Sequence, residues 1–190
     1  MLDINVLRIS RDFALRCRLL RVLPSRHLLL VSVASQRMAW LERTRKLAST
    51  SPCPSYVLRR VYVVSTSRFG TGQVAQSNRT PLGLHRIAAR IGAGQPIGTV
   101  FEERRCVGLT WQGRPDAPIA HRILWLEGME PGFNRGGKVD SFQRYIYIHG
   151  LGRELTLGRP ASRGCIHLAA SDLMPLFERI PVGTLVWIRQ

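Results

Sequence analysis

Lysine is nearly missing from this chain. Of its 28 basic residues only Lys46 and Lys138 are lysines, and just 12 acidic residues oppose them, leaving a formal net charge of +16. That sign excludes an acidic, self-solvating protein and attracts polyanions: nucleic acid, anionic lipid or acidic cell-wall polymer. No zinc-finger spacing, RNP-like aromatic run or helix-turn-helix pattern accompanies the charge, so specific nucleic-acid binding is not expected. The four cysteines, Cys17, Cys53, Cys106 and Cys165, form no C-x-x-C pair, and their spacing gives neither a zinc site nor a disulfide framework. No stretch approaches the roughly 20 apolar residues of a membrane-spanning helix. The Gly-x-Gly at Gly92 and Gly94 lacks a βαβ context and is no nucleotide fingerprint.

What is present suits one folded domain. Apolar residues make up 45% of 190 residues, enough to bury a core and to argue against global disorder. The basic excess is densest early: residues 1–60 carry twelve basic and three acidic side chains. Within residues 1–26, Leu2, Val6, Ile9, Phe13, Cys17 and Leu20 recur every three or four residues and predict a helix with one apolar stripe. A basic amphipathic helix can lie on an anionic membrane. The preferred reading is a basic extension, or a helix packed on the domain edge.

His27–Ala34 offers a short apolar core after basic residues, but it is barely seven residues long and is interrupted by Ser32. It reads as a strand, with Gln36–Leu41 as its hairpin partner, and not as an export signal. Lys46–Ser55 reads as an exposed loop. Val57–Ser65 is a strand with Val61, Tyr62, Val63 and Val64 as its buried part, Val100–Leu109 a strand with a charged edge, and Ile123–Leu126 a core strand. His85 reads as structural, and His121 has no partner at metal-ligand spacing. Near the end, Ser171 is positioned to cap a short helix with Pro175 near its first turn, before a last strand at Leu185–Ile188.

The most informative stretch is YIYIHGLGRELTLGRPASRGCIHL, Tyr145 to Leu168. It opens as an apolar strand, Tyr145–Ile148, ends on His149 and Gly150, and continues through a polar loop to Pro160-Ala161-Ser162-Arg163-Gly164-Cys165. A thiol becomes a nucleophile when an imidazole can take its proton and backbone N–H groups can hold an oxyanion. Gly164 permits positive φ or a close substrate approach just before the thiol. The residues alone leave a second reading open: a cysteine after glycine is often a small buried hydrophobe, and a histidine ending a strand is often structural.

His-Gly, a loop, Pro-Ala-Ser-x-Gly-Cys-Ile-x-Leu, an Asp-Leu helix and a Gly-Thr-x-Val strand together resemble the L,D-transpeptidase catalytic domain (YkuD-like). The resemblance covers about residues 27–190, and Thr80-Pro81-Leu82-Gly83 matches a family segment beside the active site. It implies a mainly β fold, a β-sandwich with a few short helices, over 27–190 behind the basic extension 1–26. It also implies a Cys165 nucleophile, a His149 general base oriented by the Gly150 carbonyl, and oxyanion donors around Gly164 and Cys165. The implied reaction is acyl transfer on peptidoglycan stem peptides, reactive toward carbapenems, with no metal or organic cofactor. A periplasmic or cell-envelope location is implied, though no export signal is read here.

Family members carry Ser/Thr-His-Gly-Cys with an Arg two places after the Cys. Here Arg163 stands where that His is expected and His167 where the Arg is expected, as if exchanged. Ser162, Arg163 and His167 are therefore candidate substrate contacts, Arg163 as a partner for a peptide carboxylate. Glu127–Asp140 resembles a stretch found in one family branch, which nominates Asn134, Arg135, Lys138 and Asp140 for the substrate rim. Two alternatives remain: an L,D-carboxypeptidase or other stem-peptide hydrolase, and a non-catalytic module holding cell-wall polymer.

Overall fold

The computed structural model describes residues 6–44 and 54–190, so the loop expected at Lys46–Ser55 lies almost wholly outside the described residues. Helix α1 (Val6–Leu19) opens the chain, and Ile9, Phe13 and Cys17 on its stripe are buried. Arg16 and Arg18 in its last turn complement the negative end of the helix dipole. The strands are β1 (His27–Ser32), β2 (Arg37–Arg43), β3 (Tyr56–Ser65), β4 (Gly83–Ile91), β5 (Thr99–Glu102), β6 (Arg105–Leu109), β7 (Ala120–Gly128), β8 (Tyr147–Gly150), β9 (Ile166–Leu168) and β10 (Leu185–Arg189). Helix α2 (Ala170–Arg179) precedes the last strand.

The mainly β class holds, but the two stacked sheets of a sandwich are replaced by one sheet closed on itself. The strands run β4-β10-β1-β2-β3-β9-β8-β7, and β4 then pairs with β7 as well as β10. Both edges of β4 are thus satisfied and the eight strands form a ring. The β5–β6 hairpin hangs on β7 through Val100 and Ala120.

Closure explains why β1 and β10 read as near-continuous apolar runs: both of their faces are covered. Leu29, Val31, Val186 and Ile188 face the main cluster, which also takes Leu173, Leu176 and Phe177 of α2. Leu28, Leu30, Leu185 and Trp187 point the other way, into a cluster with Ile9, Phe13 and Cys17 of α1. Burying a side chain such as Phe13 contributes about 1.5–3 kcal/mol, so α1 is cemented to the wall.

Three local expectations change. The single strand at Val100–Leu109 is a hairpin, because its charged centre folds back with positive φ at Glu103 (47°) and Arg104 (70°). The Tyr145–Ile148 strand starts two residues late, since Tyr145 adopts a left-handed φ of 55°. Helix α2 begins before Ser171: its N-cap is Ala169, with no side-chain cap, and the Ala170 N–H donates to Glu154 Oε1 at 2.5 Å. Pro175 consequently sits at the sixth helical residue.

Candidate active site

The site grows from two short parallel strands. β8 and β9 pair with Ile148 opposite Ile166 and His149 opposite His167. Successive side chains alternate faces. Ile148 and Ile166 therefore enter the main cluster, while Tyr147, His149, Cys165 and His167 share the outer face of the ring. A sheet with one buried face fixes this register, because a one-residue slip of β9 would send Ile166 and Leu168 outward.

His149 is buried, and its Nδ1 donates to the Gly150 carbonyl at 2.8 Å. A carbonyl can only accept, so Nδ1 carries the hydrogen and Nε2 holds the lone pair. Gly150 itself is required by packing: a Cβ there would lie 2.5 Å from the His121 ring. Burial pushes the His149 pKa down to about 4, so the imidazole rests neutral.

Cys165 is half-buried at the entrance to β9, and its Sγ–H donates to the Tyr145 carbonyl at 3.4 Å. The left-handed turn at Tyr145 aims that carbonyl. Burial raises the thiol pKa to about 11, against the opposing pull of a Tyr147 backbone hydrogen bond and the Arg144 charge. Thiol and imidazole thus both rest neutral rather than as an ion pair.

The turn before the thiol is tightly braced. Gly164 has φ 118°, a region that favours glycine, and its carbonyl accepts from Thr80 Oγ1 at 3.0 Å. The Thr-Pro-x-Gly segment therefore does lie beside the thiol. Ser162, expected to touch substrate, is instead buried, donating to the Cys165 carbonyl at 2.6 Å and accepting from Gly164 N–H at 3.2 Å. That second bond also occupies the Gly164 N–H that was expected to serve an oxyanion.

The remaining candidates scatter. Asn134 is fully buried, with Oδ1 accepting from Glu130 N–H and Nδ2 donating to the Leu82 and Leu84 carbonyls, so it is a structural residue and not a rim contact. Arg135 lies 3.6 Å from Glu127. Arg163 is exposed beside Tyr145 and Ile146 in an open cleft of about 400 Å³, which Asp140 also lines. Lys138 is exposed in a short 3-10 turn, Gly137–Val139. His167 packs its ring 4.9 Å from that of His149, and its buried Nδ1 has no hydrogen-bond partner. Burial, then His149, pushes its pKa down to about 3. His85 is structural, bonded to Gly83 and to Ser141 Oγ at 2.9 Å. Among the described residues no group of three or more His, Cys, Asp or Glu could hold a metal ion.

Two contributors escaped the sequence. Arg144 donates to the carbonyls of Gly72, Gln73 and Arg79, holding the loop that carries Thr80 while placing its charge near Cys165. Arg104, at the β5–β6 turn, lies over the rings of Trp125 and Tyr145 beside the site. An isolated arginine carries no local pattern; only the long-range pairing of β7 with β5 and β8 brings Arg104 over Trp125 and Tyr145.

The sequence profile of the L,D-transpeptidase catalytic domain (YkuD) matches residues 26–188, and the chain belongs to that family. Two curated relatives carry the name L,D-transpeptidase. YqjB of Bacillus subtilis (strain 168) is 40% identical over 76 residues, covering 40% of this chain and 38% of the relative. YbiS of Escherichia coli (strain K12) is 30% identical over 112 residues, covering 56% and 35%. The chain thus spans well under half of either relative. Among solved structures, Bd1075 of Bdellovibrio bacteriovorus superposes with a TM-score of 0.56 at 14% identity, covering 87% of this chain and 48% of that one. The L,D-transpeptidase LdtMt1, solved in complex with imipenem, gives 0.51 at 13% identity, covering 86% and 59%. These structures establish the likeness of fold.

Proposed function

We propose that the chain is a cysteine acyltransferase acting on peptidoglycan stem peptides, in the manner of an L,D-transpeptidase. One observation carries the reading: His149 and Cys165 stand on one face of adjacent parallel strands, with His149 Nδ1 tied to Gly150 so that Nε2 is the basic nitrogen. His149 Nε2 takes the thiol proton as Sγ attacks the carbonyl of an L-centre preceding a D-residue. The C–O π electrons move to an oxyanion held by backbone N–H groups of the Gly164–Cys165 turn, Gly164 first releasing Ser162. Collapse breaks the C–N bond, and the leaving amine receives the proton from His149. A neutral amine of a second stem then attacks the thioester, gives its proton to His149, and expels the thiolate, which is reprotonated. Arg163 pairs with a carboxylate of donor or acceptor.

Carbapenems are suitable probes, supported by the imipenem complex of LdtMt1. Intact-protein mass spectrometry of wild type, Cys165→Ala and His149→Ala after carbapenem exposure should show one adduct that requires Cys165 and forms slowly without His149. Crosslinked against trimmed products then separate transfer from hydrolysis. A second reading, a non-catalytic wall-binding module, is favoured by the raised thiol pKa and the loss of the signature His at Arg163. It predicts no adduct on folded protein and sacculus binding that survives Cys165→Ala.

A further inference from the structure

The stripe that first marks α1 as amphipathic is not the part left for a partner, because Ile9, Phe13 and Cys17 are buried against the ring. The opposite side carries its own pattern. At about 100° per residue, Arg11, Leu15, Arg18 and Leu19 fall in one sector facing away from Phe13. Leu15, Leu19 and, just beyond the helix, Leu23 are 58, 75 and 89% exposed. An open groove of about 520 Å³ runs alongside, lined by Arg11, Ala14, Leu15, Arg18, Arg21 and Leu23 among others. Among the described residues no carboxylate pairs with Arg11, Arg18 or Arg21. Arg16, by contrast, is bonded to Glu130 and lies over Trp187.

We infer that this outward face of α1, with the Arg21–Leu23 segment, docks on an anionic phospholipid bilayer. Guanidinium groups interleaved with leucines match the two layers of such a surface: the arginines meet headgroup phosphates while the leucines enter the acyl boundary. A soluble polyanion, nucleic acid or wall polymer alike, would use the arginines and leave three large leucines in water. The inference does not rest on the acyl-transfer reading. The ring gives it a direction as well. Strand β1, under α1, and strand β8, bearing His149, are separated by half the circuit, so the docked molecule turns its thiol away from the lipid.

The test is co-sedimentation of the full chain with vesicles of phosphatidylglycerol and phosphatidylcholine, against vesicles of phosphatidylcholine alone. Wild type should bind the anionic vesicles preferentially. Combined Leu15→Ser, Leu19→Ser and Leu23→Ser should lower partitioning by about tenfold or more, with Tm and Cys165 alkylation unchanged. Combined Arg11→Gln, Arg18→Gln and Arg21→Gln should also lower it and flatten its salt dependence. Equal binding by the serine variant would mean attraction by net charge alone and overturn the inference. So would no preference for anionic lipid, or equal competition by a soluble wall polymer for wild type and serine variant.

Discussion

The ring's outer wall is covered in two contrasting ways. Over β10, β1, β2 and the start of β3 lies a helix whose buried contacts are mostly alkyl, aromatic and thiol, with the Tyr56 hydroxyl donating to the Ser25 carbonyl. Over β8 and β9 lie His149, His167 and Cys165, buried or half-buried titratable groups with few polar contacts. The first arrangement maximises apolar burial; the second keeps protons movable at the cost of holding polar groups out of water. The candidate site sits where the wall is least well satisfied.

The contrast can be broken most sharply at His149. His149→Ala should slow carbapenem acylation by about 10²–10⁴-fold, the usual contribution of a general base, while leaving Tm within a few degrees. A small effect would reduce the buried imidazole to scaffolding. On the other wall, Phe13→Ala should cost about 3–5 kcal/mol in denaturant unfolding without changing the pH profile of Cys165 alkylation. A changed profile would mean the two walls are coupled.

Acid should expose the polar wall. His85 and His149 are held down to about 4 from an ordinary 6.5, so the unfolded chain binds protons first as pH falls. Stability is therefore complete above about 6.5 and is lost toward pH 4, on the order of 3 kcal/mol for each histidine. Thermal melts from pH 7.5 to 4.5 should show the decline, and a flat profile would refute the neutral-histidine state. The thiol sharpens the same contrast: alkylation by iodoacetamide should keep rising through pH 9, as a pKa near 11 requires, whereas a plateau below pH 7 would reveal an ion pair. The smallest effect expected is at Arg163, where Arg163→Ala should raise the donor or acceptor KM by about tenfold, the worth of one charge-assisted contact; no change would remove that role.

Much of this was legible in the residues, and unevenly so. The apolar runs read at His27–Ala34 and Leu185–Ile188, the hairpin partner read at Gln36–Leu41 and the Ile9-Phe13-Cys17 stripe meet β1, β10, β2 and α1 within a few residues. The family resemblance of the Tyr145–Leu168 stretch nominates His149 and Cys165, and the pairing of β8 with β9 sets them on one face. Ring closure was not legible, because β4 pairs on its two edges with β7 and β10, both far later in the chain, through contacts with no local signature. Asn134 misled because a polar residue in a Gly-rich loop resembles a surface group, while its amide in fact ties three backbone groups together inside. Ser162 misled likewise, bracing a turn from within.

The pairing of β1 with β10 has a consequence for how the molecule is made. Residues 28–32 must wait for residues 185–189 before their outer ladder can form. During synthesis the stretch bearing His149 and Cys165 leaves the ribosome while that seam is still open. Pairings so distant in sequence form slowly, since loop closure precedes any gain from contact. The nascent chain therefore passes through a stage with the β10-facing edge of β1 open, and a chaperone or an early contact with α1 has the most to protect there.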